Sequence, residues 1–298
     1  MRIGIVGFDT SHVVQFTMRL NHIDIEEEQW VGGAQIVAGF PGTSKITDDE
    51  KLAEYTATLA SYGVEVVSAP EELISKVDAV MVEFQSGMVH LEYARPFLEA
   101  GLPTFVDKPF TCSVADAQQL ADLAEANDVP LFSSSSLRYA LEIQQLQAEE
   151  DQTGEVLGAM AYSPASLHPE NPGLFHYGIH AVETLYALMG PGCREVGCAY
   201  EDGAEVVVGR WEDGRLGSIR GTRGGTHAYG FTVWCENEVR ACSIDASYIY
   251  RELLEKVVGM FESGIAPLDI AETIEIVAFI EAAAKSAQNR GQATPLFD

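Results

Sequence analysis

Two short runs in this 298-residue chain carry side chains suited to proton chemistry. Asp107-Lys108-Pro109 follows Thr104 to Val106, an apolar run that reads as a buried strand. Ligands of open α/β sheets sit outside the carboxyl ends of the strands, so an ammonium there can reach a reacting oxygen; the plainer reading is a surface lysine beside a strand-breaking proline. His176 and His180 stand four residues apart within Phe175 to Met189, a segment with helix-compatible spacing. That spacing puts both rings on one helical face. An imidazole titrates near neutrality and suits a general base, whereas His180, among Ile179, Val182, Leu185 and Leu188, equally suits a buried core. The pair also has a metal-binding geometry, with Glu183, His168, Glu170 and His227 as further candidate ligands. It lacks the adjacent general base of a His-Glu-x-x-His helix.

A third run, Gly7-Phe8-Asp9-Thr10-Ser11-His12, joins the strand Arg2 to Phe8 to a helical segment, Thr10 to Leu20. Such a turn is where backbone N–H groups at a helix start receive phosphate, and three glycines usually shape it. Only Gly7 is present. Asp9 takes the position of closest approach, where a carboxylate repels phosphate unless it serves as a helix N-cap beside the hydroxyls of Thr10 and Ser11. Other polar candidates are more isolated. His90 opens a helix after Gln85-Ser86-Gly87; Arg138 follows the last strand of the first half; His168 lies in a proline-restricted loop leading to His176. Arg220 and Arg223, with guanidinium forks suited to an acidic or polyhydroxylated ligand, are equally suited to pairing with surplus carboxylates.

The elements that must position these residues change rhythm once. Short β-branched runs alternate with helical segments up to Ser133: strands at 2–8, 35–40, 64–68, 77–84, 104–106 and 129–133, helices at 10–20, 51–62, 70–75, 88–100 and 113–127. Alternation of this kind demands a parallel sheet covered on both faces. Beyond about Leu137, runs at 195–200, 205–211, 215–222, 229–236 and 239–244 are linked by turn-length segments, which predicts a mostly antiparallel sheet, closed by helices at 248–263 and 268–288. The expected fold class is α/β: an N-terminal Rossmann domain over 1–136 and an α+β domain over 137–298 for substrate binding and oligomerisation.

Composition narrows the partners. Forty-five acidic against 18 basic residues give a formal charge of −27, a surface that repels nucleic acid and anionic membranes alike. Five cysteines without a CxxC pair argue against a disulfide framework or zinc knuckle. No stretch suits a signal peptide or membrane span, so a cytoplasmic location is expected.

The chain resembles the Gfo/Idh/MocA family of glucose-fructose oxidoreductase and inositol dehydrogenase along most of its length. The resemblance rests on Ile3-Gly4-Ile5-Val6-Gly7, on Val77-Asp78-Ala79-Val80 leading to His90, on Ala100-Gly101 leading to Val106-Asp107-Lys108-Pro109, and on Leu120-Ala121 to Leu123-Ala124. It continues in Gly178-Ile179-His180 before Leu188-Met189-Gly190 and in Ala282 to Ser286. It implies hydride transfer between a nicotinamide cofactor and a sugar-like or cyclitol alcohol. Lys108 would bind the reacting oxygen and His180 would act as base; Asp107 replaces the family's usual glutamate, and His176 its usual aspartate. Gly7, Phe8, Asp9, Thr10, Ser11, His12, Ser44, Lys45, Gln85, His90 and Asp107 would surround the cofactor, and Arg138, His168, Arg220 and Arg223 the substrate. The ribose-binding acid expected at the end of the second strand is replaced by Gly39-Phe40-Pro41-Gly42, and Thr43, Ser44 and Lys45 could receive a 2′-phosphate, which leaves NAD and NADP both open. The family also implies a homodimer or homotetramer. A non-redox member holding a ligand or metal at His176 and His180 is the alternative.

Overall fold

In a computed structural model that describes residues 1–297, the chain divides into two compact units: Met1–Ser134 with Tyr250–Ile270, and Ser135–Ile249 with the residues from Ala271 on. In the first unit, β1 (Arg2–Val6), α1 (His12–Asn21), β2 (Gln35–Phe40), α2 (Asp49–Ser61), β3 (Glu65–Val66), β4 (Ala79–Val82), α3 (His90–Glu99), β5 (Thr104–Val106), α4 (Val114–Ala126) and β6 (Leu131–Ser133) follow one another. Among the described residues the strands form a parallel six-stranded sheet in the order β3-β2-β1-β4-β5-β6. The predicted alternation is therefore present, with most boundaries moved by one to three residues. Side chains of β1 and β4 are wholly shut from water at Ile3, Ile5, Val6 and Ala79 through Val82, as a sheet covered on both faces requires. Strand order reverses on either side of β1, so the carboxyl ends of β1 and β4 flank the topological switch point.

The remaining chain runs through α5 (Leu141–Ala148), the single turn α6 (Glu150–Thr153), β7 (Val156–Pro164), α7 (Ile179–Met189), β8 (Cys193–Glu201), β9 (Ala204–Trp211), β10 (Leu216–Thr222), β11 (Gly230–Cys235), β12 (Val239–Ser243), α8 (Ile249–Ser263), α9 (Ile270–Gln288) and β13 (Thr294–Pro295). The second unit holds a sheet in the order β12-β11-β7-β10-β9-β8-β13, antiparallel except where β7 and β10 run side by side. The mostly antiparallel expectation holds, but the sequence reading misses β7. Its inward residues, Ala159 and Ala161, are too small to give a hydrophobic alternation, and they are small because α7 packs on this strand. Gly209 and Gly217 leave room for Trp211 in the same layer, since a Cβ on either would stand within 2.9 Å of its ring.

Two expectations need correction. His176 is not on the α7 helix: Gly173–Phe175 form a 3-10 turn and α7 starts at Ile179. The i, i+4 argument for a shared face therefore fails. Second, Tyr250–Ile270 groups with the first unit although it follows the second-unit strands in the sequence. The Tyr250 ring meets His12 and Phe16 edge-on, at 5.1 and 5.5 Å between centroids, and lies under the Arg19 guanidinium. All five cysteines carry thiols rather than disulfides, and no helix among the described residues is long and apolar enough to cross a membrane.

Phe8 illustrates how the switch point is built. Its side chain is fully buried, and Gly39 on β2 makes space for it, because a Cβ there would come 2.5 Å from the ring and 2.9 Å from the Ile5 carbonyl. Gly39→Ala is expected to lower stability by about 1–3 kcal/mol through overpacking, read as a lowered Tm, and Phe8→Leu in the same chain is expected to restore part of it.

Candidate functional site

The turn after β1 depends on Gly7, whose φ of +90° favours glycine and whose missing Cβ makes room for the Phe84 ring 2.7 Å away. Main-chain bonds from Gly7 N to Phe40 O and from Phe8 N to Pro41 O fasten the turn to the end of β2. Asp9 does not cap α1, as the sequence allows; the N-cap is Ser11, which makes no side-chain cap bond. Instead the Asp9 carboxylate accepts the Ser44 hydroxyl at 2.7 Å and the Gln85 backbone N–H at 3.0 Å. Its main-chain carbonyl accepts the Gln85 side-chain amide and the Thr47 hydroxyl. Burial raises the pKa of Asp9, and these donors offset that only in part. Ser44 also accepts the N–H groups of Ile46 and Thr47, so its hydroxyl is engaged within the protein rather than presented to a 2′-phosphate. Lys45 remains exposed. Thr10 is buried and accepts the His12 N–H, and Phe8 is a core residue rather than a cofactor contact.

At the carboxyl ends of β4 and β5 a buried polar cluster forms that the sequence reading only half anticipates. Asp107 Oδ2 lies 2.7 Å from His12 Nδ1, tying the end of β5 to the start of α1. Glu83, the residue after β4, is completely buried, and neither of its carboxylate oxygens has a hydrogen-bond partner. Burial, reinforced by the charge on Asp107, raises the Glu83 pKa well above the carboxylate range. For Asp107, burial acts upward but His12 and Lys108 outweigh it, so its pKa falls. One carboxylate is thus compensated and the other is not. Lys108 follows on this chain, half-buried, and its peptide bond to Pro109 is cis. His90 is fully buried with Nε2 2.7 Å from Phe84 O and Nδ1 2.9 Å from Pro109 O. Both ring nitrogens face main-chain carbonyls, and burial lowers the His90 pKa, so the single N–H of the neutral ring bonds one of them while His90 packs between the loops after β4 and β5.

In the second unit, His180 sits on the first turn of α7 with Nδ1 2.7 Å from the Ser135 hydroxyl, which fixes the ring's rotation. One turn further, Glu183 accepts the Ser135 N–H at 3.1 Å and Arg138 Nε at 2.9 Å; Arg138 Nη2 reaches Glu272 on α9 at 2.6 Å. Arg138 is therefore not presented to a substrate: it is buried between two carboxylates. Burial alone would lower its pKa, but Glu183 and Glu272 together raise it, whereas Glu183 keeps a raised pKa because burial outweighs its share of a single cation. Around His180, the rings of Tyr177 and Tyr229 lie 5.8 and 5.7 Å away, and Tyr177 separately meets His176, which in turn meets His168 at 5.4 Å. His168, His176 and His180 thus belong to one aromatic group.

The two strand arginines fall elsewhere. Arg223 pairs with Glu205 and lies over the Tyr200 ring, which is the surplus-carboxylate reading. Arg220 lines a surface hollow with Tyr200, Glu205 and Arg290 that contains neither His176 nor His180. Nor do His176 and His180 enter a group of three metal-ligating side chains among the described residues; the group found is His12, Glu83 and Asp107. Glu83 is missed in the sequence although a signal exists, an acid at the end of the apolar run Val80-Met81-Val82. Ser135 offers no such signal, because its role depends on folding next to His180. Arg138→Met is expected to leave two buried carboxylates without their cation and to cost about 3–5 kcal/mol, measured by urea denaturation.

The sequence matches, over residues 1–135, the model of an oxidoreductase family with an NAD-binding Rossmann fold. It matches no curated protein. Similar solved structures include a probable dehydrogenase from Thermotoga maritima, 20% identical, with a TM-score of 0.80 over 99% of each chain. A scyllo-inositol dehydrogenase from Lactobacillus casei with bound NAD(H) and scyllo-inositol is 12% identical, with a TM-score of 0.81 over 100% of this chain and 99% of that one. At these identities the structural likeness speaks for the fold, and the family match speaks for residues 1–135. By that match, residues 1–135 are similar to the NAD-binding Rossmann domain of the Gfo/Idh/MocA oxidoreductases, and the solved structures share the fold over the whole chain.

Proposed function

We propose that the protein is an NAD(P)-dependent dehydrogenase acting on a sugar-like or cyclitol alcohol. The observation that carries this reading is the Gly7 turn at the switch point of a doubly wound sheet, with Lys108 at the end of β5, both within the matched residues. Several features suit a dinucleotide: a glycine turn, the amino end of α1 with no acid in its first turn, and an Asp9 carboxylate already occupied by internal donors. The nicotinamide ring, when bound, supplies the hydride acceptor. Lys108 binds the alcohol oxygen, His180 takes its proton, and His176 helps orient the substrate. Ser135 keeps the His180 ring in one orientation. The substrate class draws support from neighbours described as inositol dehydrogenases. Thiols throughout suit a reducing compartment, in keeping with a cytoplasmic enzyme.

One observation favours a second reading. Asp9 stands where the chain should approach a pyrophosphate most closely, and no acid ends β2 to take the ribose hydroxyls. A non-redox member that binds a small ligand in the same crevice is consistent with both. Calorimetric titration separates the two readings: at least one of NAD and NADP is expected to bind with a Kd below about 1 mM. Lys108→Ala should keep that binding while turnover of the responding alcohol falls by about 10²-fold or more. Absence of binding by well-folded protein removes the redox reading.

We also read the outer face of the second-unit sheet as the seat of a second copy of this chain. Met160, Val208, Leu216 and Trp234 project from it with between 37 and 51% of their surfaces exposed, an apolar patch on four neighbouring strands. Light scattering is expected to give a dimer or tetramer, and Val208→Arg with Trp234→Glu a smaller species; a monomeric wild type contradicts this.

A further inference from the structure

His12, Glu83 and Asp107 each bring one donor atom within 4.8 Å of the other two, from the start of α1 and the residues just past β4 and β5. All three are buried, with 9, 0 and 1% of their surfaces exposed. Both oxygens of Glu83 and Oδ1 of Asp107 lack hydrogen-bond partners. Three acceptor atoms are thus shut from water without a donor, an arrangement that costs free energy unless something positive occupies it. The charges nearby do not balance. Asp9 adds a third carboxylate to the field at Glu83, against the ammonium of Lys108 and an imidazole already bonded to Asp107.

A proton on Glu83 relieves this only partly, since it provides one donor for three orphaned oxygens. A cation coordinated by one oxygen of each carboxylate and by the imidazole places positive charge against both acids at once. The donor set decides which cation. One imidazole and two carboxylates suit Zn²⁺ or Mn²⁺, whereas Mg²⁺ and Ca²⁺ favour oxygen ligands throughout. Metal–ligand bonds of about 2.1 Å put neighbouring donors about 3.4 Å apart, so coordination draws the cluster inward by about 1 Å. We propose that His12, Glu83 and Asp107 form a buried site for a divalent transition-metal ion, Zn²⁺ or Mn²⁺. The proposal stands apart from the coenzyme reading and is tested with metal alone.

Chelator-treated protein is titrated with Co²⁺ as a spectroscopic probe and with Zn²⁺ by calorimetry, in excess Mg²⁺ to occupy weak sites on the acidic surface. The expected result is one Co²⁺ per chain with visible ligand-field absorption, displaced by Zn²⁺. Glu83→Gln, nearly isosteric, and His12→Phe, which keeps a ring against Phe16 and Tyr250, should each weaken binding by at least about tenfold. Circular dichroism establishes that each variant is folded, and the two sample the site from different elements. Three outcomes overturn the proposal: no stoichiometric binding, binding unchanged in both variants, or a protonated Glu83 seen by infrared spectroscopy in protein saturated with Zn²⁺.

Discussion

The bond between His12 Nδ1 and Asp107 Oδ2 is the interaction around which the first unit's ligand-facing edge is organised. It joins the start of α1 to the end of β5 and so spans the carboxyl end of β4, where Glu83 is enclosed. Parallel sheets of this kind leave backbone groups and loops at that edge, and three glycines normally let the chain fold tightly there. Here only Gly7 does so. Side chains take over the work of the others. Asp9 gathers Ser44 and Gln85, while His90 packs between the carbonyls of Phe84 and Pro109. The loops after β1, β2, β4 and β5 are cross-tied by polar groups, with Phe8 and Phe84 filling the spaces left by Gly39, Gly7 and Gly42.

The second unit uses the same device for a different purpose. Arg138 is enclosed by Glu183 and Glu272, and Glu183 also receives the Ser135 N–H. Ser135 then fixes His180 through its hydroxyl. A ring held in this way keeps one orientation, which a histidine on an exposed turn would lose each time it moved. Buried ion pairs add little net stability but are expensive to break, which makes this triad better suited to fixing a geometry than to strengthening the fold.

The fold was far more legible in the sequence than the site. Elements with β-branched runs and helical periods were readable because their burial pattern is local: β2 and β5 fall at their predicted residues. β7 was not, since Ala159 and Ala161 carry too little apolar surface to mark an inward face. The return of Tyr250 to His12 and Phe16 depends on contacts across more than two hundred residues, which no periodicity records. Gly7 was identifiable by residue type and context, and it does form the turn after β1. Arg138, His90 and Ser44 read as ligand contacts in the sequence because a polar residue in such a position looks the same whether it faces a ligand or a neighbour. Only the fold decides between them, and it supplied each with internal partners.

The central claim is that the carboxyl edge of the parallel sheet, with its altered glycine turn, still receives a dinucleotide. A crystal structure of the protein grown with NAD or NADP tests it most directly. The account predicts pyrophosphate density at the Gly7 turn and the amino end of α1, with the nicotinamide ring beside Lys108. Density for the coenzyme at any other place, in crystals where that turn is accessible, would contradict it.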